Sequence, residues 1–180
     1  FKDGTVNPRH TDEYKDYVFI DDGWAKNGTY CIIRRIQIHI ETWDRTALEE
    51  QEATFGRKRI SGAPLTGKKE FDEMDLGAKD SSGEYVIPAD AHARLAHEAK
   101  TSIKRRAYNY TAGTNDKTGA LETGLLFISF QKATQQFIDI QNHLGHKDKL
   151  NEYITHRASA TFIVLPGVKK GGYLGETLFD

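Results

Sequence analysis

Arg34-Arg35-Ile36-Gln37-Ile38-His39-Ile40-Glu41 changes side at every residue: Arg34, Ile36, Ile38 and Ile40 fall on one face, Arg35, Gln37, His39 and Glu41 on the other. Alternation of period two marks a strand with one buried face, and it predicts a strand over 29–41. Upstream, residues 1–28 are polar and carry the turn pairs Asp3-Gly4, Asn7-Pro8 and Asp22-Gly23. Downstream, Thr46 and Glu49 have capping-box spacing, Leu48, Ala53 and Phe55 supply an apolar stripe, and Gly56 terminates it. A helix is therefore expected over 46–56. Residues 57–87 form a long connection, with Ser61-Gly62-Ala63-Pro64, an acidic stretch over 70–75 and Ser81-Ser82-Gly83. A connection of that length is usually functional or a packing flap, and here it is expected to pack at the rim of the site, outside the sheet. Residues 91–100 allow one or two helical turns, 103–110 reads as a strand, and 111–119 is a loop. Residues 121–131 are apolar on both faces and so mark a central strand. Phe137, Ile138, Ile140 and Leu144 give an amphipathic helix over 134–144. A short helix over 149–156 and a strand over 158–165 complete the order, ahead of a glycine-rich tail. The βαββαβ order is the split ferredoxin-like pattern. It predicts an α+β fold with a four-stranded antiparallel sheet and helices on one face, divided into a leading segment 1–28 and a domain 29–180.

The composition narrows the function classes. The chain has 180 residues, 38% hydrophobic and 28% charged, with 16 Gly and 4 Pro. That is enough to bury a core and unlike collagen or low-complexity chains. No run approaches the ~18 apolar residues of a membrane-spanning helix. The 25 basic and 26 acidic residues leave a net charge of −1. A protein that binds phosphate backbone usually carries a basic excess, so a nucleic-acid partner is disfavoured. The single Cys31 forms no internal disulfide, which fits a reducing compartment or export after folding. It lies inside the first strand as a packing residue. Gly-x-Gly-x-x-Gly, Walker, Gly-x-Ser-x-Gly, Cys-x-x-Cys and His-Glu-x-x-His motifs are all absent. The chain starts at Phe1 without Met or signal peptide and is expected to be a fragment.

Three local features carry chemistry. Asp3-Gly4 is either a turn or a carboxylate presented on a tight loop, with Gly4 allowing close backbone approach. His92 and His97 are five residues apart, which is poor spacing for a two-histidine clip on a helix. Each is a satisfied core or surface histidine, or a single axial haem ligand. Arg105 and Arg106 point to opposite faces of their strand, so one is expected to be buried and to need an anionic partner.

Six blocks in order resemble one family: Phe1-Lys2-Asp3-Gly4-Thr5, Glu41-Thr42-Trp43-Asp44-Arg45-Thr46, Ser61-Gly62-Ala63-Pro64-Leu65, Asp90-Ala91-His92-Ala93-Arg94-Leu95, Arg105-Arg106-Ala107-Tyr108 and Gly124-Leu125-Leu126-Phe127. The chain is similar to the dye-decolourising (DyP-type) haem peroxidases, and within them to the exported branch tied to ferrous-iron uptake. The resemblance implies the C-terminal of two ferredoxin-like halves, of the dimeric α+β barrel type, holding one haem b. It implies Asp3 as distal acid, His92 as proximal iron ligand and Arg105 as distal arginine beside bound H2O2 and a propionate. Glu122 would receive the second N–H of the proximal histidine. Gly4, Thr5, Val6, Arg94 and His97 would contact haem. The implied activity is H2O2-dependent oxidation of dyes and phenols, with iron release from haem or non-catalytic haem binding as alternatives. The implied partners are the N-terminal half, membrane-associated iron-uptake proteins and further copies of the chain.

Overall fold

The computed structural model describes residues 14–179. Strand β1 (Thr29–Ile38) runs through the middle of one antiparallel sheet. Its β-branched Thr29, Ile32, Ile33, Ile36 and Ile38 suit a pleated surface buried by neighbours on both sides. On one edge it pairs with β4 (Leu121–Gln131), from Tyr30 opposite Gln131 to Gln37 opposite Gly124. On the other it pairs with β5 (Ile154–Val164), with a register shift between Arg35 and Ile36. The far edge of β4 carries β2 (Lys104–Arg105) and β3 (Tyr108–Thr114), so the order is β2/β3-β4-β1-β5. This is the ferredoxin-like arrangement with five strands where four were expected. The expected strand over 103–110 is interrupted, not displaced. Lys104 opposes Phe130 and Tyr108 opposes Leu126 in one register, and Arg106 N still donates to Ile128 O at 2.8 Å.

Gly124 fits this crowded centre because it has no side chain: a Cβ there would sit 2.0 Å from Ile36 O. The last strand is longer than expected. Only a 3-10 turn, Lys149–Glu152, precedes β5, where a helix reaching residue 156 had been read.

The helices are α1 (Lys15–Val18), α2 (Ile40–Trp43), α3 (Leu48–Phe55), α4 (His92–Glu98) and α5 (Thr134–Leu144). Helix α5 and the site helix α4, which contact each other, cover one face, whereas α1 lies against Lys104, Arg106 and Phe130 on the other. Phe127 of β4 meets Phe137 of α5 at 5.9 Å, and the Arg34 guanidinium lies 4.8 Å from the same Phe137 ring. Arg34 also donates to Ser159 Oγ and Gln141 Oε1. Directly paired strand residues share a face. The rows Phe127–Arg34–Ser159 and Arg105–Ser129–Ile32 therefore both look toward the helices. Ile32, Ile36, Leu95, Phe137 and Ile140 form the core between the layers.

The expected helix over 46–56 forms as α3, while α2 takes the last residues of the strand expected to run to 41, which ends at Ile38. Ala47 takes the N-cap position of α3 with no side-chain cap, so the Thr46/Glu49 capping box does not form. Thr46 Oγ1 donates instead to Thr42 O, and buried Gln51 holds the break by donating to Trp43 O and Thr46 O. Gly56 ends α3 as expected, at φ 75°, and a Cβ there would lie 3.0 Å from Ile87 Cγ2.

The 57–87 connection joins no strand of the sheet. It contains two isolated bridges, Arg57 with Pro64 and Lys79 with Tyr85. Ala63 and Ile87 anchor it in the core.

Candidate functional site

His92 opens α4, directly after fully buried Ala91. Its half-buried ring meets Phe55 of α3 edge-on, 6.3 Å between centroids. Nδ1 lies 2.7 Å from Oδ2 of Asp148. Asp148 is 4% exposed, and its other oxygen accepts from Leu150 N at 2.9 Å, capping the 3-10 turn. Lys149 N donates to Asp90 O, which ties that turn to the residue pair ahead of α4. Both carboxylate oxygens are thus held. An ionised carboxylate only accepts, so Nδ1–H donates, and in the neutral imidazole Nε2 then carries the lone pair. Nε2 has no protein partner among the described residues. A histidine oriented this way by a carboxylate is the arrangement found behind metal-ligating imidazoles.

Glu122 does not fill that role. It sits on β4, where Arg35 Nη2 donates to one oxygen at 3.2 Å and Asn115 Nδ2 to the other at 2.9 Å. Arg35 alternates with Arg34, so this pair occupies the sheet face turned away from the helices and from His92. Asp148 takes the place expected of Glu122. Sequence reading missed it because its one local mark, an N-cap position before Lys149-Leu150, says nothing of a histidine 56 residues earlier.

Arg94 is likewise redirected. Its guanidinium donates to Glu98 Oε1, Leu76 O and Ile87 O, and it lies 4.4 Å from the Tyr85 ring centroid. At 9% exposure it pins the 57–87 connection to α4. His97 is exposed near the end of α4. Arg105 stands in the helix-facing row of the sheet, opposite Ser129. Arg106 turns to the other face, as alternation required, and lines a shallow groove with Tyr14, Phe19, Lys104 and Phe130. Asp3, Gly4, Thr5 and Val6 lie outside the described residues. His156 of β5 pairs with Ile36 on the helix-facing side. Burial, and then the Arg34 charge, hold its pKa below the usual histidine value, with Asp148 pulling the other way.

A ferredoxin-like sheet with an arginine in its helix-facing row, beside a helix that carries a carboxylate-backed imidazole, is the α+β frame of the candidate site. The chain belongs to the family described as Dyp-type peroxidase, C-terminal, whose model matches residues 1–169. A deferrochelatase from Yersinia pestis is 38% identical over 194 residues, covering 100% of this chain and 44% of its own. A dye-decolorizing peroxidase from Thermobifida fusca is 35% identical over 190 residues, covering 99% of this chain and 44% of its own. Among solved structures, a DyP-type peroxidase from Cellulomonas bogoriensis superposes with TM-score 0.90 at 38% identity, covering 98% of this chain and 50% of that one. DtpA from Streptomyces lividans superposes with TM-score 0.91 at 35% identity, covering 99% of this chain and 51% of that one. The chain thus spans about half the length of the relatives it matches.

Proposed function

We propose that this chain is the haem-bearing half of a peroxidase that uses H2O2 to oxidise bulky organic substrates such as dyes and phenols. One observation carries the reading: His92 Nδ1 is tied to buried Asp148 at 2.7 Å while Nε2 stays open. The donor set suits haem. It offers one imidazole nitrogen, and no group of three or more metal-ligating side chains occurs among the described residues. Haem b, one per chain, would sit on His92 Nε2 and, when bound, supply the redox chemistry of peroxide reduction.

The protein supplies orientation and charge. Asp148 holds the His92 ring and pulls on its Nδ1 proton, which raises the basicity of Nε2. Arg105 carries a permanent charge and stabilises negative oxygen as the O–O bond breaks. Asp3 moves the proton from the inner to the outer peroxide oxygen. Gly4, Thr5, Val6 and His97 are proposed haem contacts on the strength of the family resemblance.

The test is haem retention. In the full-length protein His92→Ala is expected to lose the Soret band, while His97→Ala keeps most of it. Equal haem loading of His92→Ala and the parent would reject the assignment.

A second activity, iron release from haem, is favoured by the naming of the 38%-identical relatives as deferrochelatases. Iron freed from loaded protein, measured with a ferrous chelator, separates it from peroxide-driven dye oxidation. The preceding half of the protein, membrane-associated iron-uptake proteins and further copies of the chain are the proposed partners, in an exported location. The proposed division of this chain remains 1–28 and 29–180.

A further inference from the structure

We propose that Lys149 is a positioning residue for the candidate iron ligand: by closing on Glu50 of α3 it fixes the turn that carries Asp148, and so sets how firmly Asp148 holds His92. The inference rests on the haem reading above and deepens it, from the carboxylate behind the ligand to the residue that places that carboxylate.

Three elements meet at His92, and one contact joins each pair of them. Phe55 of α3 packs edge-on against the His92 ring of α4. Asp148, at the head of the 3-10 turn, accepts from His92 Nδ1 at 2.7 Å. The third side is the ion pair of Lys149 Nζ with Glu50 Oε1, which joins that turn to α3. Two other bonds tie the turn toward α4: the Asp148–His92 bond itself, and Lys149 N to Asp90 O at 3.1 Å. Neither reaches α3.

Charge acts in the same direction. The Lys149 ammonium stands in the field of Glu50, Asp90 and Glu152. Its hydrogen bond to Glu50, outweighing the opposing effect of burial and joined by those three charges, holds its pKa above the usual lysine value. Removing the ammonium leaves three carboxylates facing one another beside Asp148, and like charges push the turn away from α3 and α4.

The effect falls on position more than on stability. The Lys149 and Glu50 side chains are 27% and 43% exposed, and an ion pair this open to water usually adds little to folding stability. A hydrogen bond to a carboxylate is more sensitive, because it weakens steeply as its angle bends. A small displacement of the turn therefore loosens His92 while the fold stays intact.

The experiment uses full-length protein and takes two readings. Haem affinity is measured by titration of the haem-free form. The iron–histidine stretching band of the ferrous, haem-loaded form, measured by resonance Raman, follows the strength of the bond at Nδ1. Lys149→Met removes the charge and keeps the length of the side chain. It is expected to weaken haem binding about three- to tenfold, less than the ~10–100-fold typical of losing an outer partner outright. It should also shift the band in the same direction as Asp148→Asn, by a smaller amount. Glu50→Gln should reproduce both changes, and Lys149→Arg, which keeps the charge, should hold the parent values. In the Asp148→Asn background Lys149→Met should change neither reading, because residues that act through one another are not additive. An unmoved band in Lys149→Met, or the full shift surviving in the Asp148→Asn background, overturns this inference while the haem reading stands. A parent that binds no haem overturns the haem reading and this inference together.

Discussion

Asp148 shows how much rests on one carboxylate. It is buried, caps a turn with one oxygen and holds the candidate iron ligand with the other. Asp148→Asn keeps the shape and removes the charge, so His92 becomes a weaker donor. Outer partners of metal ligands are typically worth ~10–100-fold in affinity, and a haem-affinity loss of that order is expected by titration of the haem-free protein. Unchanged affinity would mean that the pair only orders the turn. Arg94 makes the opposite case: a residue from the same sequence block as His92 that serves the scaffold. Arg94→Met strands Leu76 O and Ile87 O, each costing about 1–3 kcal/mol once buried without a donor. The loss should appear in haem-free protein, with faster amide exchange over 76–87. A defect confined to haem-loaded protein would restore Arg94 to the cofactor contacts.

At the scale of elements, the break between α2 and α3 matters most, because it sets where α3 starts and so where Glu50 and Phe55 stand. The break is held by Gln51 and not by the capping box that the sequence suggested. A true N-cap is worth about 0.5–2 kcal/mol, whereas exposed positions away from such features usually stay within about 0.5 kcal/mol. Thr46→Ala is therefore expected to be nearly neutral in urea unfolding. Gln51→Ala, which leaves two backbone carbonyls without their buried donor, should be clearly destabilising. The reverse ranking would mean that the capping box forms in solution.

At the scale of the whole molecule, β5 forms an outer edge of the sheet, mostly exposed along its length, with Phe162 51% and Val164 42% exposed. Activity must therefore be tested at full length. The proposed distal pair divides the work there. A guanidinium keeps its charge over the accessible pH range, so Arg105→Leu should slow the reaction with peroxide throughout it. Asp3 must gain and lose a proton in this role, so the rate lost by Asp3→Asn should vary with pH and be greatest where the parent is fastest. The loss should be of the ~10²–10⁴-fold size usual for general acid–base catalysis. Stopped-flow mixing with H2O2 across pH measures both. An Asp3→Asn protein as fast as the parent throughout would return Asp3 to the role of a turn residue.

The sequence by itself determined the parts that rest on local physics. Period-two alternation through Arg34–Glu41 located the central strand, and the stripe Phe137–Leu144 located α5, because side-chain spacing along one element shows directly which face is buried. The ferredoxin-like order was legible in the same chain, and the family resemblance singled out His92 and Arg105 as site candidates. The tertiary structure decided what long-range packing decides. A carboxylate can serve His92 only if the fold brings it within hydrogen-bond reach. Glu122 was the expected partner, yet its strand points it at Arg35, while Asp148 arrives from 56 residues away on a turn tied to Asp90. The closing of Lys149 on Glu50 beside His92 is of the same kind: three elements meet there, and no spacing within any one of them encodes the meeting.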